Sequence, residues 1–382
     1  MLYLDNAATT PVRPEVLEAM APYFSRWFGN PSSHHTVGEA AADALVDARA
    51  RVARVLDMRA GDVVFTAGGT EANNLAIKGV AIAAAARGAR HVVTTQIEHE
   101  SILESVSYLE RIHGFDITRV PVDADGVLLA DAVASAVRED TALVSFGYAN
   151  NEVGTVQDVA GIAAAVRVSA TRVPLHIDAV QAAGWLPLSA KALGVDAVSL
   201  AGHKIGASKG IGVLAVRGRI PIEPVLHGGG QERGKRSGTE NVAAAVGFAT
   251  ALELTEAERL ESAARVARLR DEFVDAVLAR VPNARLTGHP VKRLPGTASF
   301  TFAGTSGEAV LLELERRGIV SSSGSACAAG SDEASHVLVA MGIDEPIAQT
   351  AVRFTFSHSH DGSLDAVADA VAGAVSAVKP GA

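Results

Sequence analysis

Residues 174–180 read PLHIDAV, and this stretch decides the fold. It is short, mostly apolar and without strict alternation, as expected of a strand covered on both faces. It closes on a carboxylate, Asp178. The same form recurs on either side as DVVFT (62–66), HVVTT (91–95), ITRVPV (117–122), ALVSFGYA (142–149), AVSLAG (197–202) and GVLAV (212–216). Helical patterns separate several of them, at 71–88, 99–113 and 158–170. Strands alternating with helices predict an α/β fold: a large domain with a mainly parallel, seven-stranded sheet flanked by helices.

Beyond residue 218 the pattern changes. A glycine-rich stretch, HGGGQERGKRSGT (227–239), precedes a long amphipathic helix pattern at 256–281. Then come GTASFTF (296–302), GEAVLLELERRG (307–318), the loop SSSGSACAAGS (321–331), AVRFTF (351–356) and a C-terminal helix from about Leu364. These predict a smaller α+β domain. The expected division is 15–255 for the large domain, with 1–14 and 256–382 forming the small one.

The 382 residues include one cysteine, Cys327, in that Gly/Ala/Ser loop. One cysteine excludes an internal disulfide and a multi-cysteine zinc site, so no metal site is expected and a reducing, cytoplasmic setting is. The start, MLYLDNAATTP, carries no basic-then-apolar segment, so no signal peptide is expected. No apolar run approaches the ~18 residues of a membrane span. The formal net charge of −9 argues against direct nucleic-acid binding over the whole surface.

Six places could carry chemistry, and each has a plainer explanation. TAGGTEANN (66–74) ends a strand, with Gly69 and then Thr70 where a helix N-cap belongs. Free N–H groups there suit a phosphate; an ordinary glycine turn with a Thr cap is the alternative. Asp178 and Gln181 lie at the C-terminal end of their strand, where open α/β sheets bind ligands. Asp178 could pair with a protonated ring nitrogen or simply cap a helix. His203 and Lys204, in AGHKIGASKG (201–210), follow another strand; Lys204 could form a Schiff base or be a solvated surface lysine. His99 could stack on an aromatic ligand or move a proton, or be structural. In YANNEVGTVQD (148–158), Asn151 could donate to a ligand oxygen while Asn150 serves the turn. Arg353, inside an apolar strand, is costly unless paired, by a substrate carboxylate or by an internal salt bridge.

The order of these motifs is more specific than any one of them. YLDNAATTP, GGTEANNLAIKG, IEH, NNEVGTVQD, HIDAVQ, GHKIGASKGIG, HGGGQERGKRSGTEN and SSGSACAAG together resemble the cysteine desulfurases. These are pyridoxal-phosphate enzymes of the class V aminotransferase type, fold type I, and the likeness runs from about residue 2 to about residue 360. The SSGSAC loop is similar to the NifS- and IscS-related group. The resemblance implies that Lys204 holds pyridoxal 5'-phosphate, Asp178 pairs with its ring nitrogen, Gln181 contacts its phenolic oxygen and His99 stacks on the ring. Gly69, Thr70 and the Ala201–Gly202–His203 turn are implied around the phosphate, with Thr239 reaching it across a homodimer interface. Asn151 and Arg353 are implied to hold the carboxylate of L-cysteine, and Cys327 to take its sulfur as a persulfide for an acceptor protein. Acceptors in the family include iron–sulfur assembly scaffolds, the tRNA-thiolation system and the DNA-phosphorothioation system. Ala201 departs from the family, which often has Ser there. A selenocysteine lyase or another class V transferase is the competing expectation.

Overall fold

Alternate residues of the apolar runs serve different cores, which is why the runs are apolar throughout. A computed structural model of the chain describes residues 1–170, 172–324 and 334–378. The strands are β1 (Leu2–Tyr3), β2 (Val63–Thr66), β3 (His91–Thr95), β4 (Asp116–Val120), β5 (Thr141–Gly147), β6 (Leu175–Asp178), β7 (Ala197–Ala201), β8 (Gly212–Val216), β9 (Ala284–Leu286), β10 (Thr297–Phe302), β11 (Ile319–Val320) and β12 (Ala351–Thr355). All seven predicted runs up to residue 216 join one sheet, ordered β2-β8-β7-β6-β5-β3-β4. Pairing from β4 through β7 is parallel, and β8 runs antiparallel to both its neighbours. In β2, Val63 and Phe65 pack into the core on one face of the sheet and Val64 into the core on the other.

A second, three-stranded antiparallel sheet, β12-β10-β9, has its own core. Phe273, Phe300, Phe354 and Phe356 meet there edge-to-face, with centroids 5.2 to 6.3 Å apart. The helix Val242–Arg280 joins the two assemblies: Val242–Leu252 packs in the large core and Val266–Val277 in the small one. The sequence pattern starts this helix at 256, and the structure starts it at Val242. Residues 242–252 are almost wholly buried, so they carry no amphipathic period to read.

The N-terminus begins with the small part, β1 pairing with β11 and Asp5 bridging to Thr355 of β12. It then crosses to the large part, where Thr10 N–H donates to His203 O and Arg13 N–H to Gly206 O. Between β3 and β5 the chain reverses its direction of travel across the sheet, because β4 lies on the far side of β3. Open α/β sheets bind ligands beyond the carboxyl ends of strands at such a point. Among the described residues no helix is long and apolar enough to cross a membrane.

Candidate active site

Four neighbouring parallel strands each release a polar side chain at the same edge. β3 is followed by Glu98 and His99, and β5 by Asn150 and Asn151. β6 ends on Asp178, and β7 runs into a 3-10 turn, Gly202–Lys204. They line a cavity of about 1620 Å³, together with Gly69, Thr70, Gln181, Ala201 and Arg353. Residues far apart in sequence are thus brought together because the strands that carry them are adjacent.

Asp178 is held by two donors. Asn73 Nδ2 donates to its Oδ2 at 2.7 Å, and Val180 N–H to its Oδ1 at 2.9 Å. Asn73 also donates to Ser101 Oγ at 2.9 Å. Ser101 Oγ in turn lies 2.8 Å from Nδ1 of His99, and the Ser101 N–H donates to that same nitrogen at 3.0 Å. A backbone N–H can only donate, so Nδ1 accepts and the neutral ring carries its proton on Nε2. His99 is also the N-cap of the helix Glu100–His113. The Asn73 amide and the Ser101 hydroxyl therefore connect the His99 ring to the Asp178 carboxylate.

Lys204 Nζ donates to the carbonyls of Ala7 and Ala8, the latter at 2.8 Å. Gln181 Nε2 donates to Ala7 O at 3.1 Å, and His203 Nδ1 lies 3.3 Å from Thr9 Oγ1. Residues 5–10 are therefore part of the site, yet composition and spacing single out none of them. Their contacts use mainly backbone carbonyls, which any residue supplies. Asn73 and Glu98 went unread as well; both stand beside residues that sequence analysis did select.

Arg353 is 2% exposed, and the internal salt bridge expected of such a residue is present. It makes an internal salt bridge, Nη2 to Asp5 Oδ1 at 2.8 Å, and it also lines the cavity. Nη1 donates to Asn151 O at 2.7 Å, so Arg353 and the Asn151 turn are fixed together. Asn150 serves the turn, its Oδ1 accepting from Glu152 and Val153 N–H at 2.8 and 2.9 Å.

Thr70 is not the N-cap that its position suggests. The helix starts at Gly69 with Gly68 as cap, and Glu71 Oε2 accepts from Ala67 N–H at 2.8 Å, ahead of the helix. A Cβ on Gly69 would stand 2.9 Å from Val180 Cγ2 and 3.2 Å from Ala201 Cβ, so only glycine fits this close approach. Helix Gly69–Asn74 continues through a π turn, Leu75–Gly79. Thr239 is exposed and is not part of this cavity's lining. Cys327 lies outside the described residues.

Burial, opposed by the hydrogen bond from Thr95 and reinforced by the charge of Asp178, pushes the Glu98 carboxyl up to about 7. Thr95 Oγ1 donates to it at 2.5 Å. Burial, then the positive charges of Lys204 and Lys209, pull the His203 imidazole down to about 4, so the ring is neutral at pH 7.

The Lys204 amine and the Asp178 carboxylate thus face one cavity at a parallel-sheet edge, on the type I fold of pyridoxal-phosphate enzymes. The chain belongs to the class-V aminotransferase family, whose pattern it matches over residues 2–362. It is 44% identical to the IscS-like cysteine desulfurase of Mycobacterium tuberculosis, over 98% of this chain and 96% of that one. It is also 42% identical to the cysteine desulfurase IscS of Dictyoglomus turgidum, over 93% of this chain and 89% of that one. Among solved structures, a NifS-like protein superposes with a TM-score of 0.91 at 36% identity, covering 99% of this chain and all (100%) of that chain.

Proposed function

We propose that this protein is a pyridoxal-phosphate-dependent cysteine desulfurase, converting L-cysteine to L-alanine and retaining the sulfur. The observation that carries the reading is the presence of Lys204, Asp178 and His99 in one cavity, joined to the fixed segments around it. The names of the relatives support it.

The residues suit the cofactor by the chemistry of their donors. Asn73 turns its NH2 toward Asp178, which fits an ionised carboxylate; the reversed amide would set oxygen against oxygen. Such a carboxylate holds a proton on a ring nitrogen. The first turn of the helix at Gly69 offers N–H groups without helical partners to a phosphate. When bound, pyridoxal phosphate supplies an electron sink for the charge left at the substrate Cα. Lys204 holds the cofactor and, once released, moves the proton at Cα. His99 covers the ring. Arg353 and Asn151 orient the substrate carboxylate. The thiolate of Cys327 attacks the substrate sulfur: an S–S bond forms, the C–S bond breaks, and a proton goes to the carbon that leaves as alanine. The sulfur then passes to an acceptor protein. Further parts of this reading are the division into domains 15–255 and 1–14 with 256–382, and a homodimer in which Thr239 serves the neighbouring cavity.

Incubation with L-cysteine followed by mass spectrometry tests the reading. The expected result is one alanine released per sulfur added, with the sulfur on Cys327 and none in Cys327→Ser. Alanine formed only from selenocysteine points to the lyase instead.

A further inference from the structure

Arg353 has five N–H groups, and the structure accounts for three of them. Nη1 donates to Asn151 O at 2.7 Å and to Gly324 O at 3.1 Å, and Nη2 donates to Asp5 Oδ1 at 2.8 Å. Nε is buried and without a partner among the described residues. Arg353 lines the cavity, and the positions its described contacts leave unused are Nε and the second N–H of Nη2. Asp5 itself does not line the cavity. Its backbone is pinned on both sides, by the bridge to Thr355 and by Tyr3 Oη donating to Asp5 O at 2.9 Å. The Asp5 carboxylate thus meets the guanidinium from a fixed point.

We propose that Asp5 is a positioning residue for the substrate: it fixes the rotation of the Arg353 guanidinium so that the Nε edge is left to receive an α-carboxylate. It also supplies the carboxylate that partners this nearly buried cation; the groups on Nη1 are neutral carbonyls. The inference rests on the reading of Arg353 as the carboxylate anchor. On that reading, selectivity for amino acids over simple amines comes from a residue that never touches the substrate.

The test is an absorbance titration of the pyridoxal-phosphate-loaded protein with L-cysteine and with cysteamine, which keeps the amine and thiol but has no carboxylate. The native protein is expected to half-saturate with L-cysteine at a concentration about tenfold or more below that for cysteamine, as a charge-assisted contact predicts. In Asp5→Ala that preference collapses, through weaker L-cysteine binding at nearly unchanged cysteamine binding. Asp5→Asn keeps an acceptor oxygen at the same place and retains most of the preference. Equal weakening of both ligands in Asp5→Ala marks a merely structural pair and overturns the proposal, as does an unchanged or tighter affinity for L-cysteine. If Asp5→Ala does not fold, Asp5→Glu decides: its longer side chain must erode the preference, and an unaltered one overturns the proposal. A native protein that binds both ligands equally overturns the reading of Arg353 itself, and the role of Asp5 with it.

Discussion

The carboxyl edge of the sheet and the N-terminal segment 5–10 build one cavity by opposite means. At the sheet edge, Asp178 ends a strand, Lys204, His99 and Asn151 each follow one, and their side chains face the cavity lining. In segment 5–10, the carbonyls of Ala7 and Ala8 receive Lys204, the Ala7 carbonyl also receives Gln181, and Asp5 holds Arg353. On the proposed reading the first region supplies the reactive groups. The second fixes where those groups point, and it ties the small sheet to the large one in doing so. Substitutions in the two regions should therefore differ in kind as well as size.

The largest effect belongs to the sheet edge. On the proposed reading Lys204→Ala removes both the cofactor anchor and the proton carrier, and cysteine-dependent alanine release should fall by at least about 10³-fold. Activity within tenfold of native would erase the distinction between the two regions.

Next is Glu98, buried behind the edge. Its pKa rises from an ordinary 4.5 to about 7 in the folded protein. The folded state therefore binds more protons than the unfolded chain between those values. The associated stability is fully present below about pH 4.5 and is lost as pH rises through about 7, to the extent of about 3 kcal/mol. Glu98→Gln lacks this titration, so its stability relative to native should climb by that amount over the interval. Parallel curves of melting temperature against pH for the two proteins contradict the assignment.

Arg353→Lys keeps the charge but loses the planar fork that meets Asp5, Asn151 and Gly324 together. KM for L-cysteine should rise about 30-fold, near 2 kcal/mol, with a smaller change in kcat. A fall in kcat at constant KM would move Arg353 from orientation to chemistry.

Smallest is Ala201→Ser. Ala201 is buried against the Gly69 turn, and on the proposed reading a hydroxyl there would give the cofactor phosphate one more donor. Cofactor dissociation should tighten about tenfold, near 1.5 kcal/mol. Equal dissociation constants for the two proteins would show that the hydroxyl has no access.

The difference between the regions also sets what sequence could tell. Six of the seven sheet strands were legible because they are buried on both faces, and the edge strand β4 by its β-branched residues alone; Asp178 and Lys204 were legible because each interrupts or follows a buried run. Asn150 and Asn151 were separable as turn and ligand candidates, and the structure gives Asn150 to the turn. Ala7 and Ala8 were illegible because a carbonyl has no residue signature. Asn73 was illegible because its two partners, Ser101 and Asp178, are 28 and 105 residues away. The helix start at Gly69 rather than after Thr70 turns on cap geometry, which composition does not encode. The first 11 residues of the helix Val242–Arg280 were hidden by almost complete burial.

The central claim is that Lys204 is the residue that bonds the cofactor at this sheet edge. Borohydride reduction of the pyridoxal-phosphate-loaded protein, followed by peptide mass mapping, tests it directly. The account predicts one reduced cofactor adduct per chain, on Lys204. An adduct on Lys209 or another lysine, or none in a cofactor-saturated protein, would contradict it.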